Sequence, residues 1–583
     1  MKKKKRLISI ILAGLMMSSA MSACSDGSAD SQSINTSSKE TSSISELKSE
    51  PADIDTQSEK LTTITLYPYD ANLTSGVVGG WRGDFFATKG LQIEVWAYSD
   101  EKTNAILASG DLPDIMYMNE DNYETMIQGN MLLNLDEHMD KMPNVSAYEP
   151  METALEYIRQ YRSAGTGEVY FMPRSVGVNS VTDDTERNAL RLNLPYYESI
   201  GAPEFSDMWD LIPIVKQMLE ANPADEEGNK NFGTVLNSGS DTSYWGNALM
   251  PYLWNGYGEK QLPYLIESDM VNEEMRSILE SDSKYHEIMK WYNALYREGL
   301  VDEDSINLDR PTQKAKVDGG NVMMPSGTNP GWPPYYYQYY LKDTNIYYPN
   351  YNTYGSPGIG IHSNSPNIDA SLAFLNMLAS PDDFMAVRSC VEGVAWTLDG
   401  NTAMPTEGLL DSIRYPDPEH ELKGPDGSVL DLWNTSFICG LGAPTTYVDG
   451  EGKPRTPDAW TWKESLEILR NTDTMKQWQE TTGHESWVEW LESENALYRT
   501  SKFMDIESFA SLPSDSQQLT VDALRDIVVN SSWQLVYAAG EQEFDSIWDK
   551  MVSDCEGLGS QEIIDWRMKD LEEAQKIKDS LGE

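Results

Sequence analysis

Histidine, cysteine and cationic side chains are scarce in this chain. Its 583 residues include five histidines, four cysteines, and 44 Lys plus Arg against 93 Asp plus Glu. No two of His138, His286, His362, His420 and His484 stand four apart, so a helix-borne zinc protease motif is excluded. Cys24, Cys390, Cys439 and Cys555 form no CxxC pair, which removes the common zinc and dithiol motifs. Neither a G-x-S-x-G elbow, a P-loop nor a dinucleotide fingerprint is present. Carboxylate pairs such as Asp183 and Asp184 arise by chance at this acidic density, and glycosidase pairs are defined by spatial separation. No catalytic residue, cofactor or resident metal is therefore implied. A formal charge of −49 repels nucleic acid and anionic lipid headgroups. Phenylalanine is also sparse: 11 residues, against 31 Tyr and 17 Trp.

What is present begins with a basic run, Lys2 to Arg6, and a short apolar stretch, Leu7 to Met17. Small residues then lead to Met21-Ser22-Ala23-Cys24. This order matches a secretory signal. The apolar stretch falls short of the about 20 residues a membrane-spanning helix needs. The last four residues resemble a bacterial lipobox, with Met21 in place of the usual Leu. That resemblance implies a signal peptide over residues 1–23 and lipid modification of Cys24. Residues 24–60 are rich in Ser, Thr, Asp and Glu and read as a disordered tether. As a coil it would span roughly 35 Å. The expected location is the extracellular face of a cell membrane, attached by lipid only, in a cell without an outer membrane.

The body starts at Leu61. Thr63 to Leu66, Leu91 to Trp96 and Asp114 to Met118 read as strands, with a short helix ending at Ala108 and capped by Gly110. Tyr285, Ile288, Met289, Tyr292, Leu295 and Tyr296 fall at helical spacing, closed by Gly299. Ser365 is a candidate N-cap with Pro366 in the first turn, carrying Leu372, Leu375 and Leu378 inward. Trp548 to Lys578 is largely helical with a break near Gly557 to Gly559. Alternation of strands and helices argues for an α/β fold. Cys390, Cys439 and Cys555 read as small buried apolar residues.

Several segments together resemble the extracellular solute-binding proteins of ABC importers, family 1, in particular the large lipoprotein branch linked to oligosaccharide uptake. They are Leu107-Ala108-Ser109-Gly110-Asp111-Leu112-Pro113-Asp114-Ile115, Gly129 to Asp136 with Pro143-Asn144, and Gly167-Glu168-Val169-Tyr170-Phe171-Met172-Pro173. Trp291 to Asp304 and Phe544 to Gly559 complete the series. The resemblance implies a two-lobed periplasmic-binding-protein-like fold of type II, with a ligand cleft between lobes joined by hinge crossings. The N-terminal lobe would comprise residues 61–175 and 359–398. The C-terminal lobe would comprise residues 176–358 and 399–583. It further implies a monomer that captures a carbohydrate, most simply an oligosaccharide, and delivers it to ABC permease subunits without catalysis. A peptide or other small solute on the same fold, a surface polysaccharide-degrading enzyme, and an adhesion or sensor lipoprotein are the alternatives.

Tyr and Trp offer flat faces for sugar C–H groups and a polar handle for hydroxyls. The densest aromatic stretch runs from Gly331 to Tyr340 and includes Trp332, Tyr335 and Tyr336. Pro333 and Pro334 suggest a loop displaying these rings. Trp81, Arg82 and Asp84 follow a Gly-rich loop after the first strand, where doubly wound sheets place ligands. Trp245 and Trp396 are further candidates. Asn222 to Asn229 stands where many family members carry a calcium loop, but it lacks the regular alternation of oxygen ligands; a solvated acidic loop is expected around Asp225.

Overall fold

The computed structural model describes residues 61–68, 75–118, 122–173, 176–180, 189–238, 243–258, 265–325, 336–353, 358–415, 417–430, 447–471, 473–504 and 506–580. Cys24, the tether and Cys439 lie outside the described residues.

The first sheet is built as the alternation predicts. Strand β1 (Thr62–Tyr67) pairs in parallel with β3 (Leu91–Val95) and with β4 (Ile115–Tyr117). A short β2 (Gly76–Val77) edges β3, and Ile359–Ile361 returns antiparallel to β4. The order is therefore Ile359–Ile361, β4, β1, β3, β2. Ile64, Leu66, Leu91, Ile93 and Val95 are all buried, as period-two patterning of a covered sheet requires. Helix α1 (Gly80–Thr88) and helix α2 (Asp100–Ser109) connect these strands. Gly110 ends α2 in the left-handed region at φ 72°, where a side chain would be strained.

Asp114 ties this sheet together. Its Oδ2 accepts from Thr65 N at 2.8 Å and Thr65 Oγ1 at 2.9 Å, and its Oδ1 accepts from Ser365 Oγ at 2.5 Å. Ser365 is thus not the N-cap of the next helix. That helix is Ile368–Leu378 with Asn367 at its cap position, because the Ser365 hydroxyl is committed to Asp114 and to Asn367 N. Leu372, Leu375 and Leu378 do point inward.

A second set of strands follows. Strand β6 (Leu190–Asn193) pairs antiparallel with Tyr336–Tyr339. Asn193 N donates to Met323 O, Met323 N to Phe232 O, and Thr234 N to Leu300 O, extending the hydrogen-bonded array. The helix Lys284–Arg297 packs Tyr285, Ile288, Met289, Tyr292 and Leu295 into the core. The long strand Ile346–Thr353 belongs to a separate sheet. Its first half runs parallel to Leu497–Thr500, and its second half runs antiparallel to β5 (Gly177–Ser180). C-terminal helices Asp515–Val536, Glu541–Gly557 and Ser560–Ser580 close the body, with Gly559 at φ 84° making the predicted break. Among the described residues no helix is long and apolar enough to cross a membrane. Cys390 and Cys555 are buried free thiols.

Tyr336 to Tyr339 corrects the sequence expectation of a ring-displaying loop. All four residues are buried in a strand. The two prolines precede this stretch rather than interrupt it, so the β-favouring tyrosines and Gln338 are free to pair.

Candidate functional site

In open α/β sheets, ligands bind beyond the strand C-termini where neighbouring connections diverge. Here β3 lies on one side of β1 and β4 on the other. The point where the strand order switches sides therefore lies between Tyr67-Pro68 at the end of β1 and Tyr117-Met118 at the end of β4. Residues 69–74 and 119–121, which follow these ends, lie outside the described residues.

The Gly-rich approach to α1 is sterically dictated at Gly83. A Cβ there would stand 2.5 Å from Val78 O, so the helix starts tight against the preceding chain. Trp81 is carried by the first turn of α1 and is only 7% exposed. It packs into a distinct cluster with Cys390, Trp396, Leu430, Trp460 and Trp462. Arg82 sets its guanidinium carbon 4.3 Å above the Trp81 ring centre and donates from Nε to Val387 O at 3.0 Å. Asp84 is exposed. The structure thus brings Trp81, Arg82 and Trp396 into one region, with Trp81 and Trp396 inside a core.

Trp396 is 2% exposed, and its indole N–H donates to Cys390 O at 2.8 Å. This burial corrects the expectation of a ring open to ligand. Cys390 itself sits at φ 67°, ψ 176°, a backbone region that side chains rarely adopt. Burial pushes its thiol up to about 11. Tyr336 is likewise 2% exposed and packs with Val235, Val317 and Val322, away from Trp81. Trp245 falls in the helix Ser243–Trp254, of which only the backbone is described at that position. Trp332 and Tyr335 lie outside the described residues.

At the Asn222 to Asn229 loop, Asp225 accepts from Asn321 Nδ2 at 2.9 Å and Asn229 Nδ2 at 2.8 Å. These bonds hold its carboxyl down to about 2. Both bonds fall on Oδ2, and Oδ1 accepts from the backbone N–H groups of Glu227 and Asn229, so both carboxylate oxygens already have protein donors. Among the described residues no group of three or more His, Cys, Asp or Glu is placed to hold a metal ion.

Two aromatic residues went unnoticed as site candidates in the sequence. Trp96 and Tyr98 extend past β3 and are half-buried, although they follow the same alternate positions as the partly exposed Gln92 and Glu94. A large ring continuing a polar row was the available signal.

No protein-family model matches the chain. No curated protein matches it by sequence. Solved structures do. An HMO-binding, ABC-transporter-associated solute-binding protein from Bifidobacterium longum infantis superposes with a TM-score of 0.55 at 16% identity, covering 88% of this chain and 98% of that one. The S. pneumoniae ABC-transporter substrate-binding protein FusA, in complex with kestose, gives 0.53 at 12% identity, covering 89% and 100%. An extracellular solute-binding protein from Bifidobacterium longum subsp. infantis gives 0.51 at 16%, covering 90% and 99%. The chain therefore has the two-lobed, periplasmic-binding-protein-like α/β fold of solute-binding proteins. These neighbours are named as solute- or substrate-binding proteins.

Proposed function

We propose that this protein is the substrate-capturing component of an ABC importer and that its ligand is an oligosaccharide. The observation that carries this reading is likeness along nearly the full length of structures named for HMO and kestose binding. The strand arrangement supports it. Ile346–Thr353 and β5 run antiparallel side by side, and Ile359–Ile361 then rejoins the first sheet. Such paired crossings suit a hinge on which lobes close around a ligand. The lobes would be residues 61–175 with 359–398, and 176–358 with 399–583. Trp332, Trp81, Arg82, Asp84, Trp245 and Tyr335 remain the proposed ligand-binding candidates from sequence. Trp81 would act by shaping the wall rather than by stacking. Cys24 would carry the lipid, holding the receptor at the outer face of the membrane as a monomer that docks on two permease subunits.

The test is calorimetry and thermal shift of residues 24–583 against a panel of oligosaccharides, with product analysis. Binding without turnover is expected. Cleavage of a bound sugar would replace the receptor reading with an enzyme. Stabilisation by peptides alone would overturn the choice of ligand.

A further inference from the structure

We propose that Trp96, Tyr98 and Lys102 form a subsite for one sugar ring of the ligand, at the end of β3. The proposal rests on the oligosaccharide reading above and assigns part of its recognition to residues that no motif marks.

Position is the first argument. Trp96 N donates to Leu66 O at 2.9 Å, so the turn after β3 stays hydrogen-bonded to the end of β1, beside the point where the strand order switches from β1 to β4. This is the strand edge where α/β sheets bind ligands.

Rigidity is the second argument. The buried Tyr67 hydroxyl donates to Ser99 O at 2.9 Å and lies 2.9 Å from Thr103 Oγ1. Ser99 N donates back to the same hydroxyl at 3.2 Å. On the other side, Ala97 N donates to Ser75 Oγ at 2.9 Å. A turn pinned at both ends holds its rings with little ordering left to lose on binding.

Chemistry is the third argument. Trp96 and Tyr98 remain half-buried while β3 itself buries Leu91, Ile93 and Val95. The Tyr98 ring lies 5.7 Å from that of Tyr67. Lys102 Nζ stands 5.4 Å from the Trp96 ring centre and 5.6 Å from that of Tyr67, and donates to Ala97 O at 3.3 Å. The ammonium is therefore held against the aromatic wall, with donors to spare for ring hydroxyls. Flat ring faces beside a fixed donor match a sugar, which presents C–H faces and a hydroxyl rim.

Calorimetry with kestose, maltotetraose, mannotetraose, xylotetraose and lacto-N-tetraose tests this on residues 24–583. For whichever sugar binds the unaltered protein, Trp96→Leu keeps an apolar side chain but removes the π face. It is expected to weaken binding roughly tenfold. Trp96→Phe should recover most of that loss, and Lys102→Met should cost about fivefold while keeping the stem over the rings. Because Trp96 also packs against the main core, thermal unfolding without sugar is measured for each variant, and recovery of binding in Trp96→Phe beyond any recovery of stability separates recognition from packing. A sugar that binds the unaltered protein and Trp96→Leu equally well overturns the subsite and leaves the receptor reading standing. Failure of every sugar to bind the unaltered protein overturns both.

Discussion

The guanidinium of Arg82 lies over the indole of Trp81, 4.3 Å from the ring centre, and both belong to the first turn of α1. The indole is almost fully enclosed by the cluster around Trp396 and Trp460, so its replacement leaves a cavity. Trp81→Ala is expected to lower unfolding stability by about 3–5 kcal/mol, within the range for buried aromatic truncations. Exposed Asp84, three residues on, should tolerate Ala within about 0.5 kcal/mol. Urea denaturation of both variants checks the contrast. Equal stabilities would mean that the cluster around Trp81 contributes little to the fold.

Asp114 joins β1, the start of β4 and the Ser365 turn: its carboxylate accepts from Thr65 N, Thr65 Oγ1, Ser365 Oγ and Asn367 Nδ2. Asp114→Ala leaves the half-buried Thr65 N–H without its acceptor, and the loss of the charge-assisted bonds adds to the cost. A destabilisation of about 3 kcal/mol is expected. The double variant Asp114→Ala with Ser365→Ala should be less damaging than the sum of the two single ones, because both remove the same bond. Strict additivity in denaturation would argue against coupling between these residues.

Cys390 reverses the usual order of substitutions. At φ 67°, ψ 176° any side chain is strained by about 1–3 kcal/mol, and the Trp396 bond to its carbonyl helps hold it there. Cys390→Ala keeps the strain and loses the buried thiol. Cys390→Gly loses slightly more volume but relieves the backbone. Gly is therefore expected to be the more stable of the two in thermal unfolding. Because burial raises the Cys390 thiol to about 11, that thiol should react slowly with thiol reagents at pH 8 in the native protein and quickly once unfolded, which peptide mapping of the labelled site reads.

How much of this was legible in advance depends on the range of the interactions. The strands around Ile64, Ile93 and Ile115 and the helix carrying Tyr285 to Leu295 were readable because local period alone decides them. Gly110 and Gly559 were readable because their backbone needs are local as well. Ser365 misled because its partner, Asp114, is 251 residues away. Tyr336 misled because nearby prolines suggested a loop, whereas its strand is fixed by pairing with β6. Trp396 was a ligand candidate by residue type, yet it is buried among Trp460 and Trp462, which arrive from far along the chain. Composition singled out Trp and Tyr as a class, but it could not separate core rings from those left half-open, such as Trp96.

His286 gives the fold a specific response to acid. Its ring is largely buried, 4.1 Å from the ring of Trp548, and its Nδ1 lies 2.5 Å from Ser281 O. Burial is the main cause that lowers its native pKa, and Lys290 adds to it. The ordinary value is 6.5. As pH falls through that value, the unfolded chain takes up the proton first, so native stability drops until the native ring also titrates; above it this term is absent. His286→Phe should flatten this part of the stability curve, after allowing for His362, which burial lowers too. Denaturation midpoints between pH 7.5 and 5 measure it, and identical slopes for the variant and the unaltered protein would remove His286 as the source.

Cys24 is the proposed point of membrane attachment, and its chemistry predicts a sharp difference in partitioning. Each buried acyl methylene contributes about 0.8 kcal/mol, so two or three chains hold a protein that one chain would release. The net charge of the chain is strongly negative, and among the described residues no helix is long and apolar enough to cross a membrane. Cys24→Ala in the full chain, expressed in a bacterium without an outer membrane, is therefore expected to move the protein from the membrane fraction into the medium or to leave it uncleaved. Sugar binding by the released body should be unchanged, since the anchor and the proposed ligand residues are far apart in sequence. Cys24→Ala protein that is cleaved and still sediments with membranes would show that something other than lipid holds it there.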